Sequence, residues 1–108
     1  MVRKTLGLTT IQVLYAVAAG SRYGFDIMDR TALPSGTVYP ALSRLERVGL
    51  LRAKWENHRV ARREKRPPRK YYQITKDGRR RLLEEAERIR TVEHTLPQDL
   101  RGLEAVLG

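Results

Sequence analysis

The stretch that decides the fold runs Ser35-Gly36-Thr37-Val38-Tyr39-Pro40-Ala41-Leu42-Ser43-Arg44-Leu45-Glu46-Arg47-Val48-Gly49-Leu50-Leu51. Its apolar residues recur at three- and four-residue intervals, which predicts an amphipathic helix, the third along the chain. The residues of this apolar stripe are Val38, Ala41, Leu42, Leu45 and Val48. The opposite side is small, hydroxylated and partly cationic, and such a surface suits close approach to base edges and phosphates. Gly49 ends the helix.

The start of this helix depends on Pro40. In a helix interior, proline removes a hydrogen bond and clashes with the preceding turn. The sequence leaves two alternatives: a helix that begins near Thr37, with Pro40 in its first turn, or a distorted start. In either case residues 33–36 form the turn into the helix, and Ser35 is either a DNA contact or only a helix cap.

A hairpin follows the third helix. Apolar and basic residues alternate over residues 51–55, and apolar and polar residues alternate over residues 71–74, which is the period of two half-buried strands. Tyr72 is expected in the core, and Tyr71, on the opposite face, within reach of phosphate. Trp55 is expected in the core at the base of the hairpin rather than as a platform for base stacking.

The segment between the two strands is strongly basic. Residues 56–68 are polar and end in two prolines, which predicts an exposed, flexible loop. Over residues 52–70, nine basic side chains stand against two acidic ones, a net charge of +7 out of the chain's +10. This segment is therefore the expected contact to a polyanion. A helix that can enter a DNA groove beside a cationic loop is the arrangement of a winged helix-turn-helix.

Composition narrows the class of protein. The chain has 108 residues, 22 of them Lys or Arg and 12 Asp or Glu, so we expect one domain and a polyanionic partner, nucleic acid before an anionic membrane surface. It has no cysteine, which excludes disulfides and thiolate zinc sites, and the distant His58 and His94 are weak support for a metal site. We expect no cofactor. Paired carboxylates in an apolar setting, a phosphate-cradling glycine loop and a nucleophile–histidine pair are all missing, so we expect no enzymatic activity.

The N-terminal segment has two interpretations. A basic start, an apolar run over residues 6–19 and an Ala-Val-Ala sequence at 16–18 resemble a signal peptide. Polar residues interrupt that run, and a buried first helix over about residues 9–19 is favoured because its loss would leave the rest without a core. The helix is apolar around most of its circumference, so we expect more than one face to be buried, in part by a second subunit. No run reaches the ~18 apolar residues of a membrane span.

Two further helices are predicted. The second covers about residues 23–31, and its core candidates are Phe25, Ile27 and Met28. The last begins at Thr75, a good N-cap, with an acidic residue in its first turn and an apolar stripe. The stripe residues are Leu82, Leu83, Ala86 and Ile89. Residues 79–81 with the acidic pair 84–85 predict a solvated face with salt bridges at four-residue spacing. Pro97 breaks or kinks the chain after this helix, and residues 100–107 form a second short helix.

Four separated blocks of the sequence resemble the PadR family of bacterial transcriptional regulators. The blocks are Tyr23-Gly24-Phe25-Asp26-Ile27, Ser35-x-Thr37-Val38-Tyr39-Pro40-Ala41-Leu42-x-Arg44-Leu45-Glu46, Gly49-Leu50-Leu51 and Arg69-Lys70-Tyr71-Tyr72-x-Ile74-Thr75-x-x-Gly78. They occur in the family's order and spacing, over about residues 6–90. The resemblance implies a mainly α winged helix-turn-helix with a small β-hairpin wing, homodimeric through its terminal helices. It also implies a cytoplasmic protein of the bacterial nucleoid that binds DNA and usually represses transcription.

The chain departs from the family in two ways. The loop over residues 57–68 is longer and more basic than the family's usual short wing. Some members bind flat, drug-like ligands between tryptophans of the C-terminal helices. Here Trp55, in the hairpin, is the only tryptophan, so that mode of binding does not transfer.

The resemblance divides the chain into a winged helix-turn-helix domain over residues 1–75 and a C-terminal helical dimerisation segment over residues 76–108, within a single compact unit. The expected partners are double-stranded DNA, a second copy of the chain and a small-molecule effector of unknown kind, with no membrane. In the family's dimers the C-terminal helix is used, often with the first helix of the partner. The expected interface residues are Ile11, Leu14, Leu82, Ile89 and Leu103.

We expect DNA contacts from three places in the chain. Those of the third, or recognition, helix are Ser35, Thr37, Tyr39, Ser43, Arg44 and Arg47. Those of the wing are Arg59, Arg62, Arg63, Lys65, Arg66, Arg69, Lys70 and Tyr71. The third place is Tyr23, at the start of the second helix. The alternative function is a winged-helix interaction module that binds RNA or an acidic protein through the basic wing.

Overall fold

The computed structural model describes residues 5–95, which form helices around one antiparallel hairpin. The helices are α1 (Leu8–Ala18), α2 (Gly24–Thr31), α3 (Ser35–Arg47), α4 (His58–Arg63) and α5 (Lys76–Thr95), and the strands are β1 (Leu51–Trp55) and β2 (Lys70–Ile74). The fold is the predicted mainly α class with a hairpin wing. One short helix, α4, is inserted between the two strands of that wing.

Helix α1 lies at the centre of the molecule and contacts α2, α3, α5 and β2. Its buried residues are Thr10, Ile11, Val13, Leu14, Ala16 and Val17. Val13, Leu14, Ala16 and Val17 pack in one cluster with fully buried Ile27, Leu42 and Leu51, and each large apolar side chain buried in this way stabilises the fold by about 1.5–3 kcal/mol. The predicted buried first helix is therefore confirmed. One face of α1 nevertheless stays uncovered, because Leu8 and Tyr15 are 67% and 59% exposed.

Helix α3 begins at Ser35, two residues before Thr37, the start that would have placed Pro40 in the first turn. Ser35 and Gly36 thus belong to the helix and not to the preceding turn, and the N-cap position is occupied by Pro34 in an extended conformation. Pro40 consequently lies in the second turn, where its nitrogen cannot donate to the carbonyl of Gly36. Gly36 is exposed, so water can hydrogen-bond that carbonyl, and the helix continues to Arg47.

Four of the five residues in the apolar stripe of α3 are buried as predicted, and the exception is Val48. Val48 is the C-cap residue and lies beyond the last turn that packs on α1. In α2, Ile27 is buried and Met28 half-buried, but Phe25 is 68% exposed, contrary to the prediction. Phe25 lies two residues before Ile27, about 200° around the helix, and so faces away from the core.

The two strands pair antiparallel, with Leu51 opposite Ile74 and Trp55 opposite Lys70. The inner end of the hairpin packs on the core, where Leu51, Tyr72 and Ile74 are buried, as predicted. The prediction for Trp55 is wrong, since this side chain is 63% exposed. It lies at the outer end of β1, beyond the helical core, and the Lys70 ammonium lies 5.8 Å from its ring centroid.

The prediction of a flexible loop between the strands is also wrong. Helix α4 occupies its first half, with the Asn57 side chain accepting a 2.8 Å hydrogen bond from the Arg59 amide at the N-cap. Ala61, in the middle of α4, is buried. A six-residue helix is too short to be stable by itself, so its contacts with the rest of the wing must hold it. Those contacts are not visible in the local sequence.

Helix α5 begins as predicted. The Thr75 hydroxyl accepts a 2.9 Å hydrogen bond from the Gly78 amide and donates to the Gly49 carbonyl at 2.7 Å, so the N-cap also joins α5 to the end of α3. Asp77 lies in the first turn, near the positive helix end. Pro97 and the second C-terminal helix predicted over residues 100–107, with Leu103, lie outside the described residues.

One expectation for α5 needs correction. Arg81 and Glu85 form the expected four-residue salt bridge at 3.0 Å, but both side chains are buried rather than solvated. The Leu6 amide and Arg88 also donate to Glu85, so the segment before α1 covers the pair. Burial raises the pKa of Glu85, but the hydrogen bonds from Arg88 and Arg81 outweigh burial and leave the pKa below its ordinary value. Within residues 5–95, none of the helices has the length and apolar character needed to cross a bilayer.

Candidate nucleic-acid interface

The side of α3 that faces away from the core presents small and polar groups. Ser35, Ser43 and Arg47 are exposed, Tyr39 is largely exposed, and Thr37 is half-buried. Arg44 is also exposed, but its guanidinium points toward α1 and donates a 3.3 Å hydrogen bond to the Thr10 hydroxyl. This is a long hydrogen bond, so the side chain can exchange it for a stronger acceptor such as a phosphate oxygen.

Tyr39 is positioned by the absence of a side chain at Gly24. A Cβ atom at Gly24 would overlap the Tyr39 phenol oxygen and would lie 2.6 Å from ring atom Cε1. The tyrosine ring therefore lies directly on the first turn of α2. The sequence indicates that Tyr39 flanks the exposed side of α3, but the role of Gly24 depends on how α2 and α3 pack.

Half of the predicted wing contacts face solvent. Arg59, Arg62 and Arg63 of α4 are exposed, and so is Lys65, which follows the C-cap residue of that helix. At about 100° per residue, Arg59 and Arg63 lie side by side, opposite buried Ala61. Like charges at this spacing destabilise a helix by about 0.2–0.5 kcal/mol, and a bound polyanion would remove that penalty.

The other four predicted wing residues make contacts within the chain. Arg66 donates to both carboxylate oxygens of Glu56, at 2.6 and 2.9 Å. The Lys70 ammonium lies 3.0 Å from Glu46 Oε1, which joins β2 to α3. The remaining two, Arg69 and Tyr71, belong to an aromatic cluster at the start of α2.

That cluster joins the wing to the helix-turn-helix. The rings of Tyr23 and Tyr71 meet edge to face, with centroids 5.7 Å apart and planes at 85°. The Arg69 guanidinium lies 4.1 Å from the Tyr23 centroid, and the Arg22 guanidinium 5.1 Å from that of Tyr71. The Tyr72 amide also donates to the Arg22 carbonyl at 2.7 Å. Tyr23, predicted as a separate DNA contact, is thus directly beside the wing.

Glu56 is the residue that sequence reasoning missed. Its side chain is only 7% exposed and accepts hydrogen bonds from Arg66, from the Arg69 amide and from the Tyr71 hydroxyl. The hydrogen bond from Arg66 is the main cause that lowers its pKa to about 2, against the opposing effect of desolvation. The only signal in the sequence is an acidic residue at the edge of a basic run.

The lowered pKa of Glu56 predicts how stability depends on pH. Between its folded value of about 2 and its ordinary value of 4.5, the unfolded chain binds the proton more strongly than the folded chain does. The ionised carboxylate therefore contributes stability above pH 4.5, and this contribution is lost as the pH falls toward 2. We expect the free energy of unfolding, measured by urea titration, to fall more steeply over this range for the wild type than for Glu56→Gln. Parallel curves would contradict the assignment.

Known transcriptional regulators match this chain in sequence and in structure. The chain matches the model of the transcriptional regulator PadR-like family over residues 13–84. A PadR family transcription regulator from Clostridium difficile has a similar structure, with a TM-score of 0.75 and 25% identity over 87% of this chain and 99% of that one. A PadR-like transcription factor from Bacteroides fragilis has a TM-score of 0.71 and 26% identity over 82% and 86% of the two chains.

A more distant structure shares the fold alone. Bordetella bronchiseptica BpsR, whose DNA binding is regulated by 6-hydroxynicotinic acid, has a TM-score of 0.65 and 22% identity over 99% of this chain and 80% of that one. No curated protein sequence matches the chain significantly.

Proposed function

Because the chain belongs to the PadR-like family of transcriptional regulators, we propose that it represses transcription as a homodimer bound to a roughly palindromic operator in double-stranded DNA. The family and the winged fold support DNA-binding regulation as such. One observation supports contact of two surfaces with the same duplex: the exposed side of α3 and the wing that carries the cationic helix α4 belong to a single connected unit. The Lys70–Glu46 salt bridge and the Tyr23–Tyr71 cluster join β2 of the hairpin that carries α4 to α3 and to the start of α2.

In the proposed complex, α3 of each subunit lies in the major groove. The hydroxyl groups of Ser35, Ser43 and Tyr39 are available to phosphates, and Arg47 or Arg44 to the paired acceptors of guanine. Such a bidentate contact contributes about 1–3 kcal/mol of discrimination between bases. Binding of Arg44 would require it to release the Thr10 hydroxyl.

In the same complex the wing contacts the backbone beside the half-site. Arg59, Arg62, Arg63 and Lys65 neutralise phosphates and release counterions, a contribution that carries no sequence information. Two-fold symmetry of the protein places the half-sites about one helical turn apart. A dimer bound in this way at a promoter would exclude polymerase, which gives repression.

The proposed dimer includes the uncovered face of α1. Ile11 and Leu14 are already buried by their own chain, so the large apolar side chains that α1 offers to a second copy are Leu8 and Tyr15. These two lie on the same face of the helix at about 100° per residue, and an exposed apolar face of this kind is a typical interface. In α5, Leu82 and Ile89 are half-buried and can contribute from the same chain.

We expect the double variant Leu8→Glu, Tyr15→Glu to be monomeric. Both side chains are exposed in the single chain, so the charges should disrupt the interface without unfolding the protein. Sedimentation velocity at several concentrations measures the assembly, and circular dichroism checks the fold. Phe25→Glu is the matched control, because Phe25 is equally exposed on α2 and should leave the dimer intact. A Leu8, Tyr15 variant that remains dimeric would place the interface elsewhere.

The function itself is tested by footprinting the protein across its own chromosome, followed by gel shifts on the sites found. We expect a symmetric footprint and lower transcription from the bound promoter. In the gel shifts, an excess of unlabelled duplex should abolish binding. Single-stranded or RNA competitors that displace the duplex more effectively would favour the alternative, an interaction module for RNA. A footprint without two-fold symmetry would contradict the proposed operator.

A further inference from the structure

We propose that Glu56 is a positioning residue that holds wing helix α4 in the orientation in which Arg59, Arg62 and Arg63 meet the DNA backbone. The inference rests on the proposed DNA binding and explains what holds the wing helix in place. In this proposal, the Glu56 carboxylate gives an ordered binding surface to a basic segment that would otherwise be a mobile loop.

Helix α4 would not be stable in isolation. It spans six residues, far below the ~12–15 at which isolated helices become even marginally stable. Arg59 and Arg63 repel each other across one turn. The Asn57 cap favours the helix locally, but the burial of the Ala61 methyl group requires the chain to be folded back already at this point.

Glu56 supplies that fold-back. It precedes the Asn57 cap of α4, and its two carboxylate oxygens contact Arg66, which follows α4. Its own amide donates to the Arg69 carbonyl at 2.7 Å, and its carboxylate accepts from the Arg69 amide at 3.2 Å. The residue thus closes the base of the loop that contains α4, from both sides.

The same carboxylate connects α4 to the rest of the DNA-binding surface. The Tyr71 hydroxyl donates to Glu56 at 3.0 Å, and the Tyr71 ring packs against Tyr23 at the start of α2. The direction of the wing helix is therefore set relative to the helix-turn-helix. Positions on the DNA contacted by the wing and by α3 would then keep a constant separation.

If Glu56 is neutralised, its charge and its positioning role predict opposite changes in the affinity for DNA. A negative charge among nine basic side chains weakens the attraction to DNA, so its neutralisation alone would strengthen binding. Loss of an ordered wing would weaken binding, because phosphate contacts would have to be made from a flexible loop at an entropic cost. The sign of the change therefore distinguishes the two effects.

The experiment compares Glu56→Gln with Glu64→Gln in the full-length protein, on an operator found by footprinting. Both variants remove one negative charge from the same wing, but Glu64 is exposed at the end of α4. We expect Glu64→Gln to bind as tightly as the wild type or slightly tighter, and Glu56→Gln to bind about 10-fold weaker near physiological salt. Equal affinities of the two variants, with a wild type that binds, would overturn the inference and leave the proposed function standing. A wild type that binds no duplex would overturn both.

Two further measurements separate positioning from a general loss of stability. Glu56→Gln should be the less stable of the two at neutral pH, so trypsin is used at a temperature at which circular dichroism shows both variants fully folded; cleavage within residues 59–66 should then still be faster in Glu56→Gln than in Glu64→Gln. In a background that carries Arg59→Gln, Arg62→Gln and Arg63→Gln, the additional change Glu56→Gln should have little further effect on affinity, because the arginines it positions are gone. A full 10-fold additive loss in that background would show that Glu56 acts by another route and would overturn the inference.

Discussion

Replacing Arg59 and Arg63 together with glutamate should lower the affinity for operator DNA about 10³-fold near 100 mM salt. Both side chains are exposed and lie opposite buried Ala61, so phosphates are the partner their geometry favours. Each phosphate contact contributes about 0.9 to the slope of log affinity against log salt concentration. Loss of two contacts in each of two subunits should therefore reduce the slope by about 4, measured by fluorescence anisotropy between about 50 and 200 mM salt.

The control for this result changes net charge equally but elsewhere. Arg80→Glu combined with Arg90→Glu alters two exposed arginines of α5 that form only loose pairs, at 3.5 Å, with Asp77 and Glu87. We expect a small loss of affinity and an unchanged salt slope, since such surface pairs contribute little. Equal slopes in the two variants would mean that overall charge, and not the wing helix, governs binding. Arg66 is left unchanged because it is held by Glu56.

Replacing Gly78 with alanine should destabilise the fold by about 3 kcal/mol. The added Cβ would overlap the Leu50 carbonyl oxygen and lie 2.7 Å from Cγ1 of Ile74. The first of these neighbours is backbone and the second is a buried core side chain, so α5 would have to move away. The Thr75 cap, which hydrogen-bonds Gly49 and Leu50, would move with it, and the junction between α3, the wing and α5 would loosen.

Gly36→Ala provides the matched control for Gly78→Ala. Gly36 is also a helical glycine, but a Cβ built there meets nothing within 4 Å. We expect this substitution to stabilise the protein by about 0.4–1 kcal/mol, because alanine loses less backbone entropy on folding. Urea denaturation of both variants gives the two free energies of unfolding. A Gly78→Ala protein as stable as the wild type would contradict the close approach of α5 to Leu50.

Several elements could be predicted because they depend on local pattern. The helical spacing of apolar residues from Val38 to Leu45 is visible in the sequence, and so is the alternation in both strands. The Thr75 cap is likewise a local signal. The family resemblance, carried by blocks of the same kind, is confirmed by the match over residues 13–84.

The errors share a different origin. Trp55 continues the alternation of β1 but lies past the end of the core. The alternation therefore predicts on which face of the strand a side chain lies, but not whether other residues cover that face. Arg81 and Glu85 have the spacing of a surface salt bridge, yet the segment around Leu6 buries them. Pro40 is tolerated in the second turn of α3 because the carbonyl it leaves unpaired is exposed. In each of these cases, burial or exposure depends on whether a segment distant in sequence packs over the residue.

The sequence by itself determined the class of fold, the family and the place where positive charge accumulates, because periodicity and charge density are properties of consecutive residues. Only the tertiary structure decided which of the wing cations are available to DNA. Arg59 and Arg63 point outward from α4, whereas Arg66 and Lys70 are paired with Glu56 and Glu46. The physical reason is that an ion pair forms where the folded path of the chain brings its two charges together, and that path is a property of the whole domain.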